Sequence, residues 1–269
     1  MQARLILTDS YFNIFPLLTK NLCGKANDLT HKNFVFCEEK LTLMAERAIA
    51  NAFTGTFNTE VYSFGNFLRA KKTVKGLLSK EGSAMAVKKI LSELPLKCFN
   101  RAKINLAPTL FELISQLKSA KVSSDDLLCA AAETDGVLSN KLSDIADVFS
   151  AYESYLTSNG LSDQSSALYY LPEIIDGDQE IAKADVFIVG FSGFTAQIKS
   201  AVNSLIRKSR SVTAILVGGK NSFAFVNETS EAFKKLCEKQ RVPCETETAV
   251  SDYCHGGTII RDGDRKSVV

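Results

Sequence analysis

Residues 184–197 read ADVFIVGFSGFTAQ, and they carry the clearest signal for the fold of the chain. A short apolar run, Val186–Val189, ends in Gly190, and the loop Phe191–Phe194 then leads into a helical pattern. This order predicts a buried parallel strand that presents a ligand-binding loop at its carboxyl end. Enzymes that hydrolyse nucleotides keep a magnesium-binding acid at such a strand end. Here the strand ends in Val189, so we expect no magnesium site.

Four further apolar runs predict strands of the same sheet. Each is short and is followed by a helix-like pattern; they are Arg4–Leu7, Phe34–Phe36, Val61–Phe64 and Val212–Val217. Alternation of strand and helix favours a parallel sheet with both faces covered by helices. We therefore expect an α/β fold with a parallel sheet of about five strands. After Pro243 the sequence becomes polar and shows no clear closing element.

Between the third and fourth predicted strands lies a long segment without strand patterns. Its apolar residues recur at helical spacing in three stripes, for example Val87, Ile90, Leu91 and Leu94; Leu110, Leu113, Ile114 and Leu117; and Leu142, Ile145, Val148, Phe149, Tyr152 and Leu156. A segment of this length is too long for a loop. We predict an all-helical insertion over residues 76–175, packed on the carboxyl-end side of the sheet, within an α/β core formed by residues 1–75 and 176–269.

Composition narrows the class of protein. Net charge is +2, which is too small to indicate a nucleic-acid or membrane partner by itself. The seven cysteines are irregularly spaced, which favours reduced thiols in a cytoplasmic protein. Cys237, Cys244, Cys254 and His255 match no familiar zinc spacing, so we expect no metal. We find no signal-peptide pattern and no apolar run of membrane-spanning length, and therefore expect no membrane contact.

The chemistry of a nucleotide-hydrolysing site is missing after the first predicted strand. A phosphate-binding loop needs glycines, a lysine and a Ser/Thr, but Leu7 is followed by TDSYFNIFPLLTKNL, which contains no glycine. We therefore expect no ATP hydrolysis, no nucleotide-binding residues, no catalytic residues and no cofactor for this chain. The absence of a clustered carboxylate and lysine set likewise predicts no nuclease activity of the chain alone.

Two groups of residues are candidates for contact with DNA. Arg69, Lys71 and Lys72 follow the third predicted strand and could neutralise phosphates, and Phe64 precedes them as an aromatic side chain. Ser63 and Ser192 could donate hydrogen bonds to phosphate. The competing interpretation is that the basic residues are a solvated surface and that the two serines cap the helices they precede.

Three segments of the chain resemble the amino-terminal region of AddB, a subunit of the bacterial AddAB helicase–nucleases. Phe34–Arg47 resembles that family's strand ending in Val-Pro-Glu, Val61–Leu68 is similar to its Val-Leu-Ser-Phe-x-x-Leu, and Ala184–Thr195 is similar to its Ile-Asp-Gly-Phe-x-x-Phe-Thr. Between them, Lys141–Tyr152 looks like the family's Lys-Leu-x-Asp helix, and Asp163 falls at an acidic turn that follows it. The matches keep the family's order over nearly the whole chain.

The resemblance implies a helicase core of the P-loop-NTPase type that has lost ATPase function. Many members keep a Gly-x-x-Gly-Ser-Gly-Lys loop after strand one, which this chain lacks, and the family's Asp before Gly-Phe is Val189 here. The family's nuclease and iron–sulfur motifs lie far beyond such a region, so the resemblance implies an amino-terminal part of a longer protein. The implied partners are DNA and AddA, the helicase/nuclease subunit that works with AddB.

The expected function is a non-catalytic helicase-like scaffold that engages DNA in double-strand-break repair by recombination. One alternative is a Rossmann-like small-molecule-binding enzyme that uses Gly190, Gly193, Gly218 and Gly219 at two strand ends. The other is a protein-interaction domain in which the helical insertion docks a partner. The enzyme alternative lacks a convergent acid, base or nucleophile in the sequence.

Overall fold

A computed structural model describes residues 2–26, 28, 30–71, 76–99, 103–219 and 224–249. Within these residues the chain forms one six-stranded, all-parallel sheet and twelve α-helices. The strands are β1 (Gln2–Thr8), β2 (Asn33–Cys37), β3 (Thr59–Tyr62), β4 (Asp185–Val189), β5 (Ser211–Val217) and β6 (Cys244–Ala249). Their order across the sheet is β3-β2-β4-β5-β1-β6. The α/β class and the parallel sheet predicted from the sequence are confirmed.

The helices follow the strands in a regular alternation that is interrupted once. In chain order they are α1 (Ile14–Leu22), α2 (Thr42–Phe53), α3 (Phe64–Ala70), α4 (Lys80–Glu93), α5 (Ala107–Ala120), α6 (Ser124–Ala132), α7 (Gly136–Ser158), α8 (Gln164–Tyr169), α9 (Leu171–Gly177), α10 (Gln179–Lys183), α11 (Ala196–Lys208) and α12 (Ala224–Lys239). Eight of them, α3 to α10, lie between β3 and β4. None of the helices in the described part of the chain has the length and apolar character needed to cross a membrane.

The sixth strand, β6, is absent from the sequence-based prediction. It pairs with β1 alone, in a register that runs from Ala3 opposite Cys244 to Thr8 opposite Ala249. An edge strand has no second neighbour and little need for apolar side chains, so a charged sequence such as CETETA is acceptable there. Neither face of β6 is apolar, so the sequence does not show the alternation of apolar and polar residues that indicates a strand.

Helices cover both faces of the sheet. On one face α1 and α2 bury side chains such as Leu18 and Ile49 against β1, β2, β4 and β5. On the other face α3, α8, α9, α11 and α12 pack against the same strands, with Phe67, Ile175 and Leu205 fully buried. The central strands β2 and β4 are buried along their whole length, as parallel strands between two helical layers should be.

Helices α4 to α7 share a hydrophobic cluster of their own, in which Tyr152 and Leu91 are fully buried. The chain enters and leaves this unit at one place, where the Leu78 amide donates to Ser162 O at 2.8 Å and the Ser162 amide to Gly76 O at 3.0 Å. Helices α8 and α9 pack instead with the sheet. The predicted limits 76–175 remain a prediction, and we propose that the helical unit ends near Ser162.

Candidate functional site at the carboxyl edge of the sheet

The loops that follow the strands lie at the carboxyl edge of the sheet because all the strands run in one direction. The loop after β2 leads to α2 on one face, and the loop after β4 leads to α11 on the other. Strands β2 and β4 are neighbours in the sheet. Where connections leave neighbouring strands towards opposite faces, a crevice opens, and α/β proteins bind ligands there. This crevice is the candidate functional site.

The loop after β1 closes over this edge with aromatic side chains. The Tyr11 hydroxyl donates to the backbone oxygen of Gly190, at the end of β4, at 3.1 Å. Burial, with a further contribution from the Glu38 carboxylate, raises the pKa of Tyr11 above its ordinary value. Phe12 beside it is 80% exposed. Aromatic rings thus occupy the position after β1 where a phosphate-binding enzyme would carry glycines.

The crevice between β2 and β4 is bridged by Glu38. Its Oε1 accepts hydrogen bonds from the Ser192 amide at 2.7 Å and from the Ser192 hydroxyl at 2.6 Å. Its Oε2 lies 2.7 Å from Nζ of Lys40. Burial alone would raise the pKa of Glu38, but the hydrogen bonds from Lys40 and Ser192 outweigh it and hold the pKa below its ordinary value. The carboxylate is therefore a fixed anchor for the loop after β4.

Two glycines of the enzyme alternative, Gly190 and Gly218, have structural roles at this edge. Gly190 has φ +69°, and a Cβ there would lie 2.8 Å from Leu41 Cδ1. A Cβ on Gly218 would lie 2.8 Å from Oδ1 of Asn227, which accepts from the Gly219 amide at 3.1 Å. The close approach of Leu41 and Asn227 accounts for two of these glycines by packing.

Two of the sequence-predicted DNA contacts, Ser63 and Phe64, are buried at the start of α3. The Ser63 hydroxyl accepts from the Asn66 amide at 3.1 Å and caps the helix. The ring of Phe64 is stacked on Phe36 at 4.9 Å between centroids, and Phe64 is only 4% exposed. The capping role predicted as the alternative for Ser63 is present, whereas Ser192 caps no helix, because Thr195 caps α11.

The predicted basic group is separated by the fold. Arg69 is half exposed, lies 3.7 Å from Glu39, and lines a cleft of about 740 Å³ between α3, α4, α5 and α8. Lys71 instead contacts Asp178 at 2.7 Å and Glu180 at 2.9 Å, just before β4. Those acids lie near the amino edge, opposite the crevice. Lys72 lies outside the described residues.

The site offers groups for binding more clearly than groups for catalysis. Among the residues that the structure describes, no cluster of three or more His, Cys, Asp or Glu side chains is arranged to hold a metal ion. Cys254 and His255 fall outside those residues. The crevice presents exposed aromatic rings, the Ser192 hydroxyl and the Lys40 ammonium group, which suit stacking and hydrogen bonding to a polar ligand.

Tyr11, Phe12 and Glu38 have roles that the sequence-based prediction does not contain. The sequence does contain a usable signal for Tyr11 and Phe12. They follow soon after a buried strand, and aromatic side chains at the end of a strand have no core to enter. The contact of Glu38 with Ser192 spans 154 positions along the chain and has no local signal.

Known proteins resemble this chain over most of its length. A family model described as "ADDB, N-terminal" matches residues 22–254. The chain is 25% identical over 238 residues to a protein of Listeria innocua named as the B subunit of an ATP-dependent helicase/deoxyribonuclease, covering 81% of this chain and 20% of the relative. It is 29% identical over 231 residues to the protein of the same name from Ruminiclostridium cellulolyticum, covering 79% and 20%. The chain thus spans about a fifth of the length of these relatives.

Proposed function

The chain belongs to the AddB amino-terminal family, and on that basis we propose that it is a helicase-like module of a helicase–nuclease that engages single-stranded DNA without hydrolysing nucleotide. The relatives it matches are named as the B subunit of an ATP-dependent helicase/deoxyribonuclease. Such a name implies a partner, and we propose that this partner is the helicase/nuclease AddA. The setting would be repair of DNA breaks by recombination in the cytoplasm.

One observation carries the non-catalytic part of the proposal. The loop after β1 has no glycine, and its Tyr11 bonds to the backbone of Gly190 at the end of β4. Binding of phosphate by backbone amides needs an open glycine-rich turn, and magnesium needs an oxygen ligand that Val189 does not provide. This arrangement supports a structural role for the end of β4, which lacks the groups needed to bind and hydrolyse a nucleotide.

The DNA-engaging part rests on the remaining exposed groups. Arg69 and Lys40 are exposed cations near the carboxyl edge, and the Phe12 ring is exposed between the loops. Few cations are available, so the proposal implies weak binding of single strands by the isolated chain, with a salt dependence of about −0.7 in log K per phosphate neutralised. Most of the affinity in the whole protein would come from AddA and from the rest of AddB.

Calorimetric titration with ATP and magnesium tests the first part, with a helicase that has an intact phosphate loop as the positive control. We expect no heat of binding and no phosphate release. Fluorescence anisotropy with a labelled single strand at low and moderate salt tests the second part. Turnover of ATP, or tight binding of DNA that does not change with salt, would contradict the proposal.

A further inference from the structure

A second hollow, distinct from the carboxyl-edge crevice, lies where the helical unit meets the sheet. Its volume is about 440 Å³, and it is bordered by the end of α5, by α7, by the end of α8 and by the first turn of α11. The side chains that matter here are Lys118, Lys121, Phe149, Tyr169, Tyr170 and Gln197. Ser165 borders both this hollow and the Arg69 cleft, so the two are neighbours.

Two consecutive tyrosines are left open beside this hollow. Tyr169 is 58% exposed and Tyr170 is 50% exposed, and their rings are nearly perpendicular at 5.5 Å between centroids. Nζ of Lys121 lies 5.7 Å from the centre of the Tyr169 ring and donates to the Ser200 hydroxyl at 2.7 Å. In a perpendicular pair one ring face is left uncovered by the other ring, and a third flat ring can stack on it.

Gln197 lines the hollow and has a buried acceptor atom without a hydrogen-bond partner in the described part of the chain. Gln197 is only 3% exposed, and its Nε2 donates to Ser165 O at 2.9 Å. Its Oε1 has no hydrogen-bond partner among the described residues. A buried acceptor left without a donor is unfavourable. A ligand that brings an N–H group would relieve this once the amide rotates to expose Oε1, which is buried in this structure.

The buried lysine of the hollow does not favour a simple anion. Nζ of Lys118 contacts Asp163 at 2.6 Å and the Ser166 hydroxyl at 2.8 Å, and it also pairs with Glu153. Its charge is therefore already balanced by two carboxylates. Around Lys118 the hollow therefore suits a flat, neutral ring with polar edges better than it suits a phosphate or a carboxylate.

We propose that this hollow binds a nucleobase, which stacks on the contacting pair of rings of Tyr169 and Tyr170 and offers an N–H to Gln197. Every nucleobase has a π face, and stacking on aromatic side chains is how single strands are held without sequence preference. This inference rests on the proposed function, because a single strand is the natural source of such a base. A free nucleotide is the other source.

Anisotropy measurements on the 269-residue chain, with a labelled single strand and an abasic strand of equal length, test the proposal. We expect Tyr170→Ala and Tyr169→Ala each to weaken binding of the base-containing strand about tenfold, and to leave binding of the abasic strand within about twofold. Tyr170→Phe should retain most of the affinity, because it keeps the ring. Phe57→Ala is the matched control, since Phe57 is 97% exposed in the loop before β3 at the amino edge.

Photo-crosslinking with 5-iododeoxyuridine locates the bound base directly. Crosslinks to Tyr169 or Tyr170 support the proposal, and competition by dAMP as strong as that by the strand would identify a free nucleotide as the source. If the chain binds DNA, but the crosslinks map to the carboxyl edge and both alanine variants bind like the unsubstituted chain, this inference is wrong and the proposed function stands.

Two further outcomes would also overturn the inference. If the unsubstituted chain binds neither strand nor dAMP at low salt, the nucleobase site and the DNA-engaging role are both wrong. If the tyrosine variants keep their affinity for the strand and lose only their binding to AddA, the hollow is a protein-docking site and the nucleobase site is wrong.

Discussion

The two edges of the parallel sheet differ in the side chains that they present. At the amino edge, Asp185 is 2% exposed and binds Arg210, Ser211 and Lys25. Lys32 there pairs with Glu60 at 3.1 Å and with Glu180 at 2.7 Å. At the carboxyl edge Glu38 is paired with Ser192 and Lys40, but four large side chains are at least 41% exposed, namely Tyr11, Phe12, Leu43 and Met44. Phe57, in the loop before β3, is the exposed counterpart at the amino edge.

This difference indicates where the sheet can interact with other molecules. Charges at the amino edge are already paired, so a ligand would have to displace existing ion pairs there. Exposed aromatic and aliphatic side chains at the carboxyl edge have no such partners to lose, and clustered exposed apolar groups indicate interaction surfaces. This sheet therefore has more of its ion pairs at the amino edge and more of its exposed apolar side chains at the carboxyl edge, where we expect binding.

Substitution of Asp185 at the amino edge should change stability most. Asp185→Ala removes a buried carboxylate and leaves the hydrogen-bonding groups of Arg210 and Ser211 without their acceptor. We expect unfolding in urea to become easier by about 2–3 kcal/mol, with unchanged DNA binding under native conditions. Asp147→Ala, on the exposed face of α7, is the control and should change stability by less than about 0.5 kcal/mol. Equal stabilities for the two variants would refute the role assigned to the amino edge.

The same carboxylate predicts a dependence of stability on pH. Burial alone would raise the pKa of Asp185, but hydrogen bonds from Arg210 and Ser211 and the charge of Lys25 outweigh it, so the pKa lies below its ordinary value of 3.8. A lowered pKa in the folded state contributes stability that is present above pH 3.8 and is lost as pH falls through the folded value. Urea midpoints measured from about pH 6 downwards should fall less steeply for Asp185→Ala than for the unsubstituted chain.

A smaller effect is expected at the carboxyl edge, from Gly190→Ala. The left-handed φ of +69° costs an alanine about 1–2 kcal/mol, and the new Cβ would press on Leu41. Gly193→Ala is the control in the same loop, because its Cβ would meet no atom within 4 Å and its φ is not positive. We expect the first variant to unfold about 1–2 kcal/mol more easily and the second to stay within about 0.5 kcal/mol. Similar values for both would contradict the strain assigned to Gly190.

The core of the fold is easier to predict from the sequence than the site. Buried strands such as Val186–Val189 have a continuous apolar signal, because both faces of a central parallel strand are covered. The edge strand β6 has no such signal. The site depends on contacts between distant loops, such as that of Glu38 with Ser192. It also depends on the edge of the sheet to which a helix carries a lysine. Neither of these is encoded in a local pattern.

Lys71 shows this limit and provides the next prediction. The sequence groups it with Arg69 after β3, but α3 carries it to the amino edge, where it pairs with Asp178 and Glu180 and lies 5.4 Å from the centre of the Phe67 ring. Its side chain is 23% exposed, so these contacts are only partly screened by solvent. We expect Lys71→Ala to lower stability by about 1 kcal/mol, measured in urea, and to leave the affinity for single-stranded DNA unchanged. A loss of DNA affinity without loss of stability would place Lys71 in the binding surface.

Arg69→Ala should change stability least, in contrast to Lys71→Ala. Arg69 has one acidic neighbour within the described residues, Glu39 at 3.7 Å, and about half of its side chain is exposed at the rim of the cleft. An exposed pair at that distance contributes little, so stability should change by less than about 0.5 kcal/mol. If the carboxyl edge binds DNA, removing this cation should weaken single-strand binding about threefold at low salt and lower the magnitude of the salt slope by about 0.7.

Arg47→Ala is the matched control for a general loss of positive charge. Arg47 is exposed on α2, which packs on the opposite face of the sheet from α3 and the cleft. If Arg69→Ala and Arg47→Ala weaken binding equally, the effect is one of net charge, and the carboxyl edge has no specific role in holding the strand.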